Sequence, residues 1–139
     1  MGRWTGRITN RALVVALATI GVLSLSFAGV GLGAAVAADA DGDAFVSAIN
    51  SSRASLAGVE GLAPAADLIA IAERHAAAMA ARGSIYHNPD LGRQVQDWEV
   101  VGENVGVGPD VASLHQAFLD SPAHRANVLD ARYRQVGIG

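Results

Sequence analysis

The chain has 139 residues, enough for one domain at most. It has no cysteine, so no disulfide can brace a small core. All ten basic residues are Arg, against 13 acidic residues, for a formal net charge of −3.

Residues 1–38 read as lying outside the fold. Arg3, Arg7 and Arg11 make a basic start, and a long apolar run follows from Ala12 to Ala38. Ala35-Val36-Ala37 fits a small-residue cleavage site, with Ala38 as an alternative last residue. This is the pattern of a secretory signal peptide. The run is also long enough to span a bilayer, so an uncleaved membrane anchor over residues 12–38 is the rival reading. Cleavage would take away three Arg and no acid, leaving a domain of net charge −6. So acidic a domain carries no electrostatic footprint for nucleic acid. It also has little attraction to an anionic lipid surface, which leaves membrane contact to an uncleaved N-terminal segment.

A short acidic lead, residues 39–44, precedes the first element. Phe45, Val46, Ile49 and Leu56 lie at helical spacing, and Gly58 is a stop signal, so a helix is predicted over Phe45–Leu56. Pro64 opens a second helix, Ala65–Arg82, in which Leu68, Ile71, Ala72, His75 and Met79 share one face. Gly83 ends it. His75 on that face reads as a hydrogen-bonded core residue. Ser84 to Asp97 reads as a loop that His87 enters early. Trp98, Val100 and Val101 suggest a short strand with Glu103 at or just past its end. Val111, Leu114, His115, Phe118 and Leu119 make the stripe of a third helix, Asp110–Asp120. Ser121-Pro122 restarts a fourth, Pro122–Leu129, with Ser as N-cap and His124 in the first turn. The positive helix end disfavours imidazolium there, which keeps His124 suited to a metal. Tyr133–Gly139 reads as a final strand.

Two imidazoles and one carboxylate, His87, Glu103 and His124, form a ligand set that suits a divalent ion such as Zn²⁺. They stand 16 and 21 residues apart, a spacing that matches no compact metal motif. Their neighbours add the pattern: Ile49-Asn50-Ser51-Ser52-Arg53, Gly83-Ser84-Ile85-Tyr86-His87, Val101-Gly102-Glu103-Asn104-Val105, Ser121-Pro122-Ala123-His124-Arg125-Ala126-Asn127 and Val136-Gly137-Ile138-Gly139. This succession, from about residue 45 to the last, resembles the CAP superfamily of SCP-like extracellular domains, in its bacterial branch.

The resemblance implies an α+β fold: a CAP-like α-β-α sandwich with a short antiparallel sheet between helices. It implies a cleft with His87, Glu103 and His124 as metal residues, lined also by Tyr86, Asn104, His115 and Ser121, with Arg93 a further candidate. The second Glu of many eukaryotic members falls near Ser121, so the tetrad is reduced to a triad. Phe118 stands where Trp is usual. Relatives continue past Gly139 into another turn and strand, so the sheet is expected to lack its last strand and to show an open edge.

For function, the resemblance implies a secreted, extracellular domain. A binding or interaction module for an extracellular protein, lipid or cell-wall component is favoured over an enzyme. The alternative is a metal-dependent or His/Glu-dependent, protease-like hydrolase. A zinc hydrolase needs ligands and a base, and these three residues supply one or the other but hardly both. Ser84 near His87 and Ser121 near His124 are the local serine–histidine pairs, and no nucleophile-elbow sequence exists.

Overall fold

The computed structural model describes residues 10–18 and 32–139. In chain order the elements are β1 (Asn10–Ala18), α1 (Leu32–Ser52) continued by a π-helical turn (Arg53–Ala57), β2 (Ala63–Pro64), α2 (Ala66–Arg82), α3 (Leu91–Gln94), β3 (Trp98–Val107), α4 (Val111–Asp120), α5 (Pro122–Leu129) and β4 (Gln135–Ile138).

The later helices follow the sequence pattern closely. In α2 the buried residues are Leu68, Ile71, Ala72, His75 and Met79, the face that periodicity selects. Gly83 closes α2 in the left-handed region, φ 69°, which a side chain would strain. Asp110 caps α4 by accepting from the Ser113 N–H at 2.7 Å. Pro122 sits at the start of α5, after Ser121 in extended conformation. The first helix differs: it begins at Leu32 and so runs through Ala35-Val36-Ala37. Within the expected loop, Leu91–Gln94 forms one helical turn that buries Leu91.

The sheet has four strands in the order β2-β4-β1-β3, and every pairing is parallel. The antiparallel sheet expected from the resemblance is therefore corrected. The connections give the reason. β2 reaches β3 through α2, and β3 reaches β4 through α4 and α5. Helical crossovers of that length return the chain to the same end of the sheet, where strands can run only parallel.

The strand β1 lies within the stretch expected to be a signal peptide or membrane anchor. Asn10–Ala18 runs between β4 and β3, pairing with Trp98–Val107 on one side and through Ala12–Val15 with Gln135–Ile138 on the other. Consequently β4 has a neighbour on each side, and no open edge lies beside it. The segment ALVVALA suits this position, because a central parallel strand is covered on both faces and reads as a continuous apolar run. Of the rest of the leader segment, residues 1–9 and 19–31 lie outside the described residues. Among the described residues, no helix is long and apolar enough to cross a membrane.

Helices cover both faces of the sheet. On one face Leu13, Val15, Val136 and Ile138 pack with Phe45 and Ile49 of α1, Leu114 and Phe118 of α4, and Val128 of α5. On the other, Ala12 packs with Leu68, Ile71 and Ala72 of α2 and with Leu91 and Val95. The alternation along β4 explains its glycines. Val136 and Ile138 enter the larger cluster, while Gly137 and Gly139 face α2 so closely that a Cβ would run into the backbone of Leu68 and Ile69 or of Ala72 and Glu73.

Candidate functional site

β3 is an edge strand, and its alternation sorts the site residues to two faces. Val101 and Val105 pack toward α2 and its surroundings, and Glu103 shares that side, beside His75. Asn104 and the glycines at 102 and 106 turn toward α4 and α5. A Cβ at Gly102 would strike the Tyr133 ring system, and one at Gly106 would lie 2.8 Å from Leu114 Cδ1. Glu103 is thus in the middle of a ten-residue strand, not at its end as the sequence suggests.

Glu103 is buried, and the two oxygens of its carboxylate are used differently. Oε2 accepts from His87 Nδ1 at 2.8 Å and from the Asn88 N–H at 2.9 Å. Oε1 is buried with no hydrogen-bond partner. The closest group of note is His75 Nε2 at 3.9 Å, which donates instead to the Tyr86 carbonyl at 2.7 Å. A buried oxygen without a partner is costly unless something satisfies it. His75 is the residue that periodicity assigns to the core: it is buried and hydrogen-bonded there, yet it also stands beside Glu103. Its place on the buried face of α2 is legible in the sequence, but no sequence signal links it to Glu103.

His87 Nδ1 lies 2.8 Å from Glu103 Oε2, an arrangement that favours the tautomer with the proton on Nδ1; among the described residues Nε2 has no hydrogen-bond partner, and the side chain is 64% exposed. His124 sits in the first turn of α5. Its ring lies against Phe118, 4.9 Å between centroids. Burial and, second, the nearby His87 hold its pKa below the ordinary 6.5. His124 therefore favours its neutral, ligating form. Among the described residues no group of three or more His, Cys, Asp and Glu side chains is arranged to hold a metal ion.

The other residues expected to line the cleft divide. Tyr86 is next to the site: its carbonyl holds His75, its ring meets the His75 ring edge-on at 4.9 Å, and Arg82 lies 4.7 Å above it. Asn104 is fully buried and acts as a strut, donating to the His124 carbonyl at 3.1 Å. Asn127 completes it, with Nδ2 donating to the Glu103 carbonyl at 3.1 Å and to Asn104 Oδ1 at 2.9 Å. The sequence reading missed the role of Asn127, although it belongs to the same SPAHRAN block. Ser121 serves as the extended residue before α5, without a side-chain capping bond. Arg93 pairs with Asp90 on the exposed surface. His115 lies elsewhere, between α1 and α4. Its Nε2 is 2.8 Å from Ser52 Oγ and its ring is edge-on to Phe45. Its Nδ1 is buried without a partner, so this serine–histidine pair has no third group to orient it.

Arg53 organises the same end of the domain from beneath. Fully buried, it donates to the carbonyls of Glu60 (2.8 Å), Val128 (2.8 Å), Asp130 (3.0 Å) and Tyr133 (3.5 Å). It thereby collects the free carbonyls at the end of α5 and the start of the run into β4.

Nothing matches the chain among curated proteins or among solved structures. A family model, described as CAP: Cysteine-rich secretory protein family, matches residues 46–139. The chain belongs to that family.

Proposed function

We propose that this CAP-family chain is a secreted, non-enzymatic binding domain whose cleft at the edge of β3 takes a divalent cation, Zn²⁺ first, through the imidazoles of His87 and His124. The reading rests on one observation: Glu103 Oε2 lies 2.8 Å from His87 Nδ1, while the exposed Nε2 has no hydrogen-bond partner among the described residues. A carboxylate–histidine pair of this kind orients a ligating imidazole and raises its basicity. Glu103 is thus assigned the supporting position rather than that of a direct ligand, because Oε2 already serves two donors and Oε1 is buried. Two imidazoles and no third protein ligand leave the remaining coordination positions to water or to a bound partner. The same economy argues against hydrolysis, because ligands and general base would have to come from the same three residues.

The test is thermal unfolding of the full chain with and without ZnCl₂. A ligand that binds only the folded state stabilises it by about 2.7 kcal/mol at a hundred times its Kd. Zinc should raise the melting temperature of the wild type and do nothing for His87→Ala. Glu103→Gln should weaken zinc binding by roughly 10–100-fold while remaining folded. A wild-type melt indifferent to zinc would refute the assignment.

A further inference from the structure

Residues 85–88 have no helix or strand of their own, yet three consecutive residues there are each held by a buried side chain from another element. His75 of α2 donates from Nε2 to the Tyr86 carbonyl at 2.7 Å. Glu103 of β3 takes the next two: its Oε2 lies 2.8 Å from His87 Nδ1 and accepts from the Asn88 N–H at 2.9 Å. The two anchoring side chains are only 6% and 5% exposed, whereas that of His87 is 64% exposed. An imidazole so open has little packing to hold its rotamer. Its aim depends on the Glu103 bond and on where the backbone beneath it is placed.

His75 acts on that backbone. The Tyr86 carbonyl belongs to the planar peptide group whose N–H is that of His87, so a bond to it sets the plane from which the His87 side chain leaves. The direction of the bond is settled by chemistry: a carbonyl only accepts, so His75 Nε2 carries the proton. The same face of α2 adds two further contacts. The Tyr86 ring meets the His75 ring edge-on at 4.9 Å, and the Tyr86 N–H is directed to Met79 Sδ, one turn along, at 3.5 Å. Thus α2 grips Tyr86 by both backbone groups, and β3 grips the two residues that follow.

We infer that His75 is a positioning residue for His87: through the Tyr86 carbonyl it sets the backbone from which the imidazole reaches Glu103 Oε2. Only the consequence for zinc rests on the reading of His87 as a ligating imidazole; the positioning is a property of the metal-free chain.

The test is nitrogen-15 NMR of the zinc-free full chain at mildly alkaline pH, where imidazoles are neutral. In the wild type His75 should carry its proton on Nε2 and His87 on Nδ1. His75 found in the opposite tautomer would overturn the inference, a result that needs no variant. His75→Phe keeps a ring against Tyr86 and removes the donor, while His75→Gln returns an amide N–H at similar reach. In His75→Phe the His87 signals should move to a mixture of tautomers. The Asn88 amide should exchange about tenfold faster, the upper range for losing one hydrogen bond. His75→Gln should restore both. A role confined to the core would lower the melt and leave His87 unmoved, so unchanged His87 and Asn88 signals in folded His75→Phe would overturn the inference. Zinc titration is a separate arm: His75→Phe should bind roughly 10-fold more weakly than wild type and His75→Gln about equally. Equal affinity in His75→Phe would overturn the inference. A wild type that ignores zinc would refute the ligand reading alone, and the metal-free signals would still decide the role of His75.

Discussion

Replacing Arg53 with Ala tests how the C-terminal half of the domain is held. The guanidinium is fully buried and donates to four carbonyls, three of them at 2.8–3.0 Å. A hydrogen bond from a charged donor contributes about 1.5–3 kcal/mol. Simple addition over three bonds overstates the loss, because the Glu60 and Asp130 carbonyls are close enough to the surface to recover water. The Val128 carbonyl is not, since its bond is buried. Removing the charge also ends the desolvation that burial imposes on Arg53, the main cause of its lowered pKa. The balance is a destabilisation of about 3–5 kcal/mol, from the unsatisfied Val128 carbonyl and the cavity left by truncating a large buried side chain. For a domain of this size that corresponds to a fall in Tm of roughly 10–25 °C. Arg53→Lys keeps a charge but reaches fewer carbonyls, and should lose about half as much. Urea unfolding at neutral pH, followed by circular dichroism, measures both. A loss under about 1 kcal/mol for Arg53→Ala would refute the view that these carbonyls depend on the guanidinium.

The remaining predictions concern β4, α1 and pH. Gly137→Ala places a Cβ against the α2 backbone, which cannot yield as a side chain can, and should destabilise by about 3 kcal/mol, at the upper end for overpacking. Gly42→Ala, in α1 with nothing near its Cβ, should instead stabilise by about 0.5–1 kcal/mol; equal effects at the two sites would contradict the packing described. Burial lowers the pKa of His115 below 6.5, and burial with His87 nearby lowers that of His124. The unfolded chain therefore binds more protons in this range than the folded one. Their contribution is complete above pH 6.5 and is lost as pH falls through the lowered folded values. Melts between pH 7.5 and 5 should show this slope, reduced in His115→Gln; an unchanged slope in that variant would remove His115 from the account.

Much of the helical framework was legible because amphipathic spacing and punctuation agree. Leu68 to Met79 mark one face of α2 and Gly83 its end, and Asp110 and Ser121-Pro122 mark the starts of α4 and α5. His87 and Glu103 could be paired only through the resemblance, since the structure brings them together across 16 residues. The course of β1 was not legible. A buried parallel strand and the core of a leader share one composition, and periodicity cannot separate them. Strand direction escaped for a related reason: it is set by the crossover helices, not by any residue within the strands. His75 was correctly read as a hydrogen-bonded core residue, but its nearness to Glu103 depends on how α2 packs on the sheet, which spacing along one helix does not report.

The amide pair Asn104–Asn127 has a consequence beyond the cleft. β3 is an outer margin of the sheet, where unpaired backbone groups can template addition of a neighbouring chain. Asn127 already occupies the Glu103 carbonyl on that margin, and α5 is fastened alongside through the Asn104 bond to His124. The side chains that frame the candidate site thus serve as a selvedge along part of this border: among the described residues, they occupy a backbone carbonyl of β3 and bind α5 to the strand.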